Sequence, residues 1–150
     1  MEYKLQEGFE YANKDKGGME TAQFISITPP TARNITDIAP VKCEVMKAVN
    51  WAQNQDSVKT VETVETVEDG AEDNEDSKQI DPSSMMQTLE LAPNIDVAKV
   101  ILHVRAMLVG GLGKVDGEFR FTQPLAEDLS LKDVYGITGF FLVNFILPSL

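Results

Sequence analysis

The chain has 150 residues, the size of one ordinary domain. Hydrophobic residues make up 43% and charged residues 25%, which excludes a wholly disordered chain, a collagen and a multi-span membrane protein. A single cysteine excludes a disulfide framework and a Cys-rich zinc site, a single histidine makes a His-based metal site or catalytic triad hard to assemble, and a net charge of −11 argues against a phosphate-binding surface.

Residues 3–28 read as a β-hairpin. Tyr3, Leu5, Phe9 and Tyr11 occupy odd positions in the first run, and Phe24, Ile25 and Ile27 fill the second. The stretch NKDKGG, Asn13 to Gly18, supplies turn residues that tolerate positive φ. Pro29 and Pro30 stop the strand because proline cannot donate to a ladder. A helical pattern follows. Thr31 or Asn34 can cap a first turn around Ile35 and Ile38, and Pro40 fits the first position of a second helix. Val41, Val45, Ala48, Val49 and Ala52 then recur at helical spacing, and this helix should end near Gln55.

Charge concentrates in the next segment. Residues 56–81 hold ten acids against Lys59 and Lys78, which is −8 of the total −11. The tandem TVETVETVED from Thr60 to Asp69 has a three-residue period that matches neither a helix face nor a strand face. With no aromatic residue between Trp51 and Phe119 and many β-branched residues, the segment cannot offset its ordering entropy. Residues 56–84 are therefore expected to be a disordered acidic linker or loop.

Beyond it, Asn94 or Asp96 can cap an apolar helix from Ile95 to Val109 that Gly110, Gly111 and Gly113 end. Gly117 marks a turn, and residues 118–121 read as a short strand. Ser130 and Asp133 form a Ser-x-x-Asp start signal for a last helix through Tyr135, Phe140, Phe141, Phe145 and Ile146 to Pro148. That helix is apolar nearly all round. It is shorter than the roughly 20 residues of a membrane span and is interrupted by Gly136, Gly139 and Asn144, so burial or a partner interface is the expectation. Residues 1–18 are polar and charged, so no signal peptide is expected.

The inventory of reactive groups yields no convergent set. His103 has no acid three or four residues away, so it is expected to be a packed or rim histidine. Cys43 reads as a partly buried structural thiol. Asp69, Asp73 and Glu75 lack the spacing of a calcium loop, and the glycines at 110–113 follow a helix where a phosphate cradle would precede one. No catalytic, cofactor-binding or metal-ligating residue is expected, and the chain is not read as an enzyme.

Two stretches carry a family resemblance. Ile25 to Ile38 reads ISITPPTARNITDI, a strand running into a Pro-Thr helix entry at Pro30, Thr31, Arg33 and Asn34. Asp128 to Leu150 reads DLSLKDVYGITGFFLVNFILPSL, a Leu129-Ser130 step before an aromatic-rich helix with Phe140, Phe141 and Phe145. The order of these parts resembles the small tail assembly chaperones of long-tailed bacteriophages. The resemblance covers about two thirds of the chain and skips the acidic insert.

It implies a non-catalytic protein of the host cytoplasm. Such a protein binds and solubilises the helical tape measure protein, and meets the tail tube protein, during tail assembly. It self-associates and is not retained in the mature virion, and neither nucleic acid nor a membrane is an expected partner. Phe140, Phe141, Phe145 and Ile146 are the expected partner anchors, because aromatics dominate hot spots. An acidic DNA-mimic inhibitor and a minor structural subunit of the virion are the alternatives. The expected fold is α+β, a small antiparallel sheet from the N-terminal hairpin, which 118–121 can join, packed on three or four helices. Residues 1–55 and 85–150 form two parts of one domain around the 56–84 insert.

Overall fold

The computed structural model describes residues 1–13, 17–62 and 81–150. The N-terminal hairpin is present in two arms. Strand β1 (Glu2–Lys4) pairs antiparallel with β4 (Phe24–Ile27), Tyr3 opposite Ile25. Strand β2 (Glu10–Asn13) pairs with β3 (Gly18–Thr21), Tyr11 opposite Glu20. Residues 14–16 of the expected turn lie outside the described residues. Between the arms the ladder breaks at Gln6, Glu7 and Gly8, with Leu5 donating to Gln23 O on one side and Ala22 to Phe9 O on the other. Gly8 makes the break possible: its φ is 71°, and a Cβ there would sit 2.8 Å from the Ala22 carbonyl oxygen.

The sheet extends beyond the hairpin. β4 also pairs with β5 (Gly113–Val115), and β5 with β6 (Phe119–Arg120), giving the order β1-β4-β5-β6. Residues 118–121 therefore join through an intervening strand. Gly113 serves there as strand, because Phe121 and Leu108 press within 3.3 Å of where its Cβ would be. Residues directly opposite share a face, so Tyr3, Ile25 and Val115 are buried together.

A 3-10 turn, Ala32–Asn34, leads into α1 (Ile35–Glu62), and Asn34 Oδ1 accepts the Thr31 backbone N–H at 2.9 Å. No second helix begins at Pro40. One helix runs through it, and the ring merely leaves the Thr36 carbonyl without an N–H from that position. Val41, Val45 and Ala48 are buried as their spacing requires. The helix also passes the expected end at Gln55, since no Gly or Pro interrupts 56–62.

Of the expected 56–84 linker, residues 63–80 lie outside the described residues, 56–62 form the end of α1, and α2 (Pro82–Leu91) begins inside its far end. Asp81 caps it, accepting the Ser84 N–H at 2.7 Å, and Pro82 occupies the first turn. Helix α3 (Val97–Met107) is capped by Asp96 and buries Val100, Val104 and Met107. A π turn, Leu108–Leu112, ends it through Gly111 at φ 131°. A short α4 (Gln123–Glu127) also carries a proline, Pro124, in its first turn. Helix α5 (Leu131–Phe141) is capped by Ser130 and continues through a π turn, Leu142–Ile146, and a 3-10 turn, Leu147–Ser149. The described residues thus hold five α-helices where three or four were expected; α2 and α4 are the additions. Helix α5 packs on α2 and α3, α1 packs on α3 and α2, and one core joins them to Ile25, Ile27, Val115 and Phe121 of the sheet side.

Candidate partner-binding surface

The four expected anchors divide. Phe141 and Ile146 are 0% exposed, so the core claims them and they present nothing to a partner. Phe140 and Phe145 are half-buried. The Phe140 ring lies 5.7 Å from Tyr3, and the Phe145 ring 5.2 Å from Phe141. The physical reason is helical period: Ile137 and Phe141 lie on the buried face of α5, which packs on α2 and α3, and Leu142 and Ile146 on that of the π turn, which packs on α1 and α2. Other apolar side chains of the same helix and its extension are exposed, namely Leu131, Tyr135 and Leu150.

Leu131 to Ser149 is one run long and apolar enough to cross a membrane by length and composition, and 39% of its apolar window is buried here. Beside its first turns runs an open groove lined by Gln6, Met86, Glu90, Lys132, Tyr135 and Gly136 among others. Two glycines let α5 pack closely on β1 and α2. A Cβ on Gly136 would collide with the Tyr3 hydroxyl, and one on Gly139 would lie 2.5 Å from the Pro82 carbonyl oxygen.

Two carboxylates tie other elements to the hairpin, one from α5 and one from the β5–β6 turn. Asp133 is fully buried at the start of α5, and its side chain enters the break between β1 and β2. Oδ1 accepts the Gln6 N–H at 2.6 Å, and Oδ2 accepts those of Glu7 and Gly8 at 3.1 and 3.3 Å. The Tyr3 and Ser130 hydroxyls donate at 3.4 and 3.3 Å. Asp116, at φ 51° in the β5–β6 turn, closes the opposite strand. It accepts the Gln23 and Phe24 N–H groups at 2.8 and 3.2 Å and the Tyr11 hydroxyl at 2.9 Å. Burial and the Asp116 carboxylate hold the Tyr11 phenol well above its ordinary range, and burial and Asp133 raise that of Tyr3. Neither role was legible beforehand. In sequence, Asp133 signals only a helix start with Ser130, and the acceptor roles depend on non-local contacts.

His103 has a partner that sequence spacing could not reveal. Its Nδ1 lies 3.0 Å from Asp37 Oδ1 on α1. Glu44, nearly buried, accepts the Asp96 N–H and pairs with Lys47. Cys43 is exposed on α1, not a partly buried thiol, because it lies opposite the face carrying Val41, Val45 and Ala48. Among the described residues no group of three His, Cys, Asp or Glu side chains could hold a metal ion. Asp69, Asp73 and Glu75 lie outside the described residues. The chain matches no family model, and no curated protein or solved structure matches it.

Proposed function

We propose that this chain is a non-catalytic assembly chaperone that binds an apolar helical partner along α5, in the manner of the phage tail assembly chaperones it resembles. The observation that supports the reading most directly is the incomplete cover of α5. A helix apolar nearly all round leaves Leu131, Tyr135 and Leu150 exposed and Phe140 and Phe145 half-covered. The groove between α2 and the start of α5 mixes apolar Pro82, Met86 and Tyr135 with polar Gln87, Glu90 and Lys132, a lining that suits an amphipathic helix. The tape measure protein is the proposed partner class.

The test is affinity capture of the tagged full chain from infected cells, with quantitative mass spectrometry. Recovery of a very long helix-rich protein at many copies of this chain per partner is the expected result. Substituting Leu131→Glu and Tyr135→Glu should lower that recovery at least about tenfold, the scale of one hot-spot residue. A DNA-handling enzyme in the eluate, or stoichiometric retention of the chain in purified particles, would overturn the reading. So would flotation of the chain with vesicles of phosphatidylethanolamine and phosphatidylglycerol.

A further inference from the structure

The π turn that ends α3 leads at once into β5, and the corner encloses an open hollow of about 340 Å³. Gly110, Gly111, Gly113, Lys114, Glu118 and Arg120 line it. Backbone conformation accounts for Gly111, and crowding by Leu108 and Phe121 accounts for Gly113. Neither reason applies to Gly110. Its φ is not positive, and nothing lies within 4 Å of where its Cβ would stand. Glycine weakens a helical turn relative to alanine, and what it leaves here is a bare wall to the hollow.

The opposite wall is cationic. Lys114 and Arg120 face each other directly across β5 and β6, and both are exposed. The Phe121 N–H donates to Gly113 O, so the next pair along the ladder, Lys114 with Arg120, is of the non-hydrogen-bonded kind that brings side chains closest. Like charges in such a pair destabilise a sheet. Neither cation has an acid within 4.0 Å among the described residues, although the chain holds 24 acids to 13 bases. Glu118 lines the same hollow beyond that reach. The same register turns the Arg120 backbone N–H and C=O away from β5, to the free edge of the sheet.

We infer that this corner binds the carboxylate of an extended peptide. Lys114 and Arg120 grip the carboxylate through charge-assisted hydrogen bonds, and the peptide backbone exchanges hydrogen bonds with Arg120 at the edge of β6. The bare wall at Gly110 admits the chain that carries the carboxylate. Charge selects the ligand class. The two cations share the hollow with Glu118 and with the α3 helix end, which carries roughly −0.5 charge, a balance that accepts one negative charge and not the two of a phosphate. The site shares no residue with the α5 groove and is independent of the reading above.

The test is an NMR titration of the ¹⁵N-labelled full chain at about 0.15 M salt, where the field of more distant charges is screened beyond ~8 Å. The probes are the blocked peptide acetyl-Ala-Val-Glu-Val-Ala-amide, its Gln counterpart, the Gln peptide with a free C-terminus, and inorganic phosphate. The Glu peptide should shift the amides of Gly110, Gly111, Lys114 and Arg120 with a dissociation constant of about 0.1–1 mM. The blocked Gln peptide should bind at least about tenfold more weakly, the scale of one charge-assisted hydrogen bond. Tighter binding by the free C-terminus than by the Glu side chain would identify a chain end as the source of the carboxylate. Arg120→Glu should abolish the shifts and raise the melting temperature, because an attractive cross-strand pair replaces a repulsive one. Gly110→Leu should fill the hollow and weaken binding at least about tenfold without lowering the melting temperature. No shift at about 10 mM peptide overturns the inference, as does equal binding of the two blocked peptides or tighter binding of phosphate. A melting temperature lowered by Arg120→Glu would assign the pair to the fold and overturn it too. Leu131→Glu and Tyr135→Glu should leave the titration unchanged, so this site and the α5 surface fail separately.

Discussion

Donors from Tyr3, Gln6, Glu7, Gly8 and Ser130 converge on the Asp133 carboxylate. Three are consecutive backbone N–H groups that the broken hairpin ladder leaves without a strand partner, and buried N–H groups without acceptors are costly. Asp133→Asn would replace two carboxylate oxygens by one carbonyl and turn an NH₂ toward those donors. The expected loss is about 3 kcal/mol of unfolding free energy in urea titration, from one broken charge-assisted set and at least one orphaned donor. A loss under about 0.5 kcal/mol, the scale of a neutral surface change, would show that the break is held by packing instead. The tyrosines give a second outcome. Folding raises both phenol pKa values, so below about pH 10 the folded and unfolded chains are equally protonated and their contribution is complete. Above it the unfolded chain releases protons that the native chain keeps, and stability falls. Tyr11→Phe should lower the melting temperature at neutral pH, by losing the bond to Asp116, and make its decline between pH 9 and 11 shallower.

Helix α5 carries its own contradiction at the scale of an element. Gly136 and Gly139 each cost it about 1 kcal/mol of helix propensity relative to alanine. The neighbours explain their presence. At Gly136 an added Cβ meets the end of the Tyr3 side chain, which can turn aside at the expense of its bond to Asp133. At Gly139 it meets the Pro82 backbone, which cannot move without shifting α2. Gly139→Ala should therefore destabilise by about 2–3 kcal/mol despite better propensity, and more than Gly136→Ala, in parallel thermal and urea unfolding. Equal effects would mean that α2 yields as readily as a tyrosine side chain. The helices with long periodic faces were legible in sequence: α1 from Val41, Val45 and Ala48, α3 from its apolar stripe, α5 from Ser130 and Asp133. The hairpin was legible from alternation and its turn residues. What was hidden had a local cause in each case. Strand β5 is short and starts on a glycine at the end of a helix, and its strand character comes from pairing with β4. Helix α2 was lost because Asp81 and Pro82, a cap and a first-turn proline, were read as part of the acidic run. The anchors divided because an all-apolar helix gives no signal of which face the core takes, and only the packing of α1, α2 and α3 decides that Phe141 and Ile146 go inside.

At the scale of the whole molecule the question is what the acidic segment does for a chain whose apolar last helix is incompletely covered. The described parts of the chain end at Glu62 and resume at Asp81, so a clean test replaces residues 63–80 and keeps both Glu62 of α1 and the Asp81 cap of α2. A neutral Gly/Ser segment of equal length would remove seven acids and one lysine, −6 of the net −11, without touching a described helix. If the segment supplies solubility, the variant should unfold within about 0.5 kcal/mol of the parent, since no described core contact changes. Its solubility limit should fall several-fold at low salt, because net negative charge opposes association of apolar surfaces. Capture of a helical partner through α5 should persist. The DNA-mimic reading demands the reverse, with undiminished solubility and lost capture, because its acids would themselves be the recognition surface. Loss of partner capture at unchanged stability would therefore move the function from α5 to the charge, and retention would leave Leu131, Tyr135, Phe140 and Phe145 as the residues to vary next.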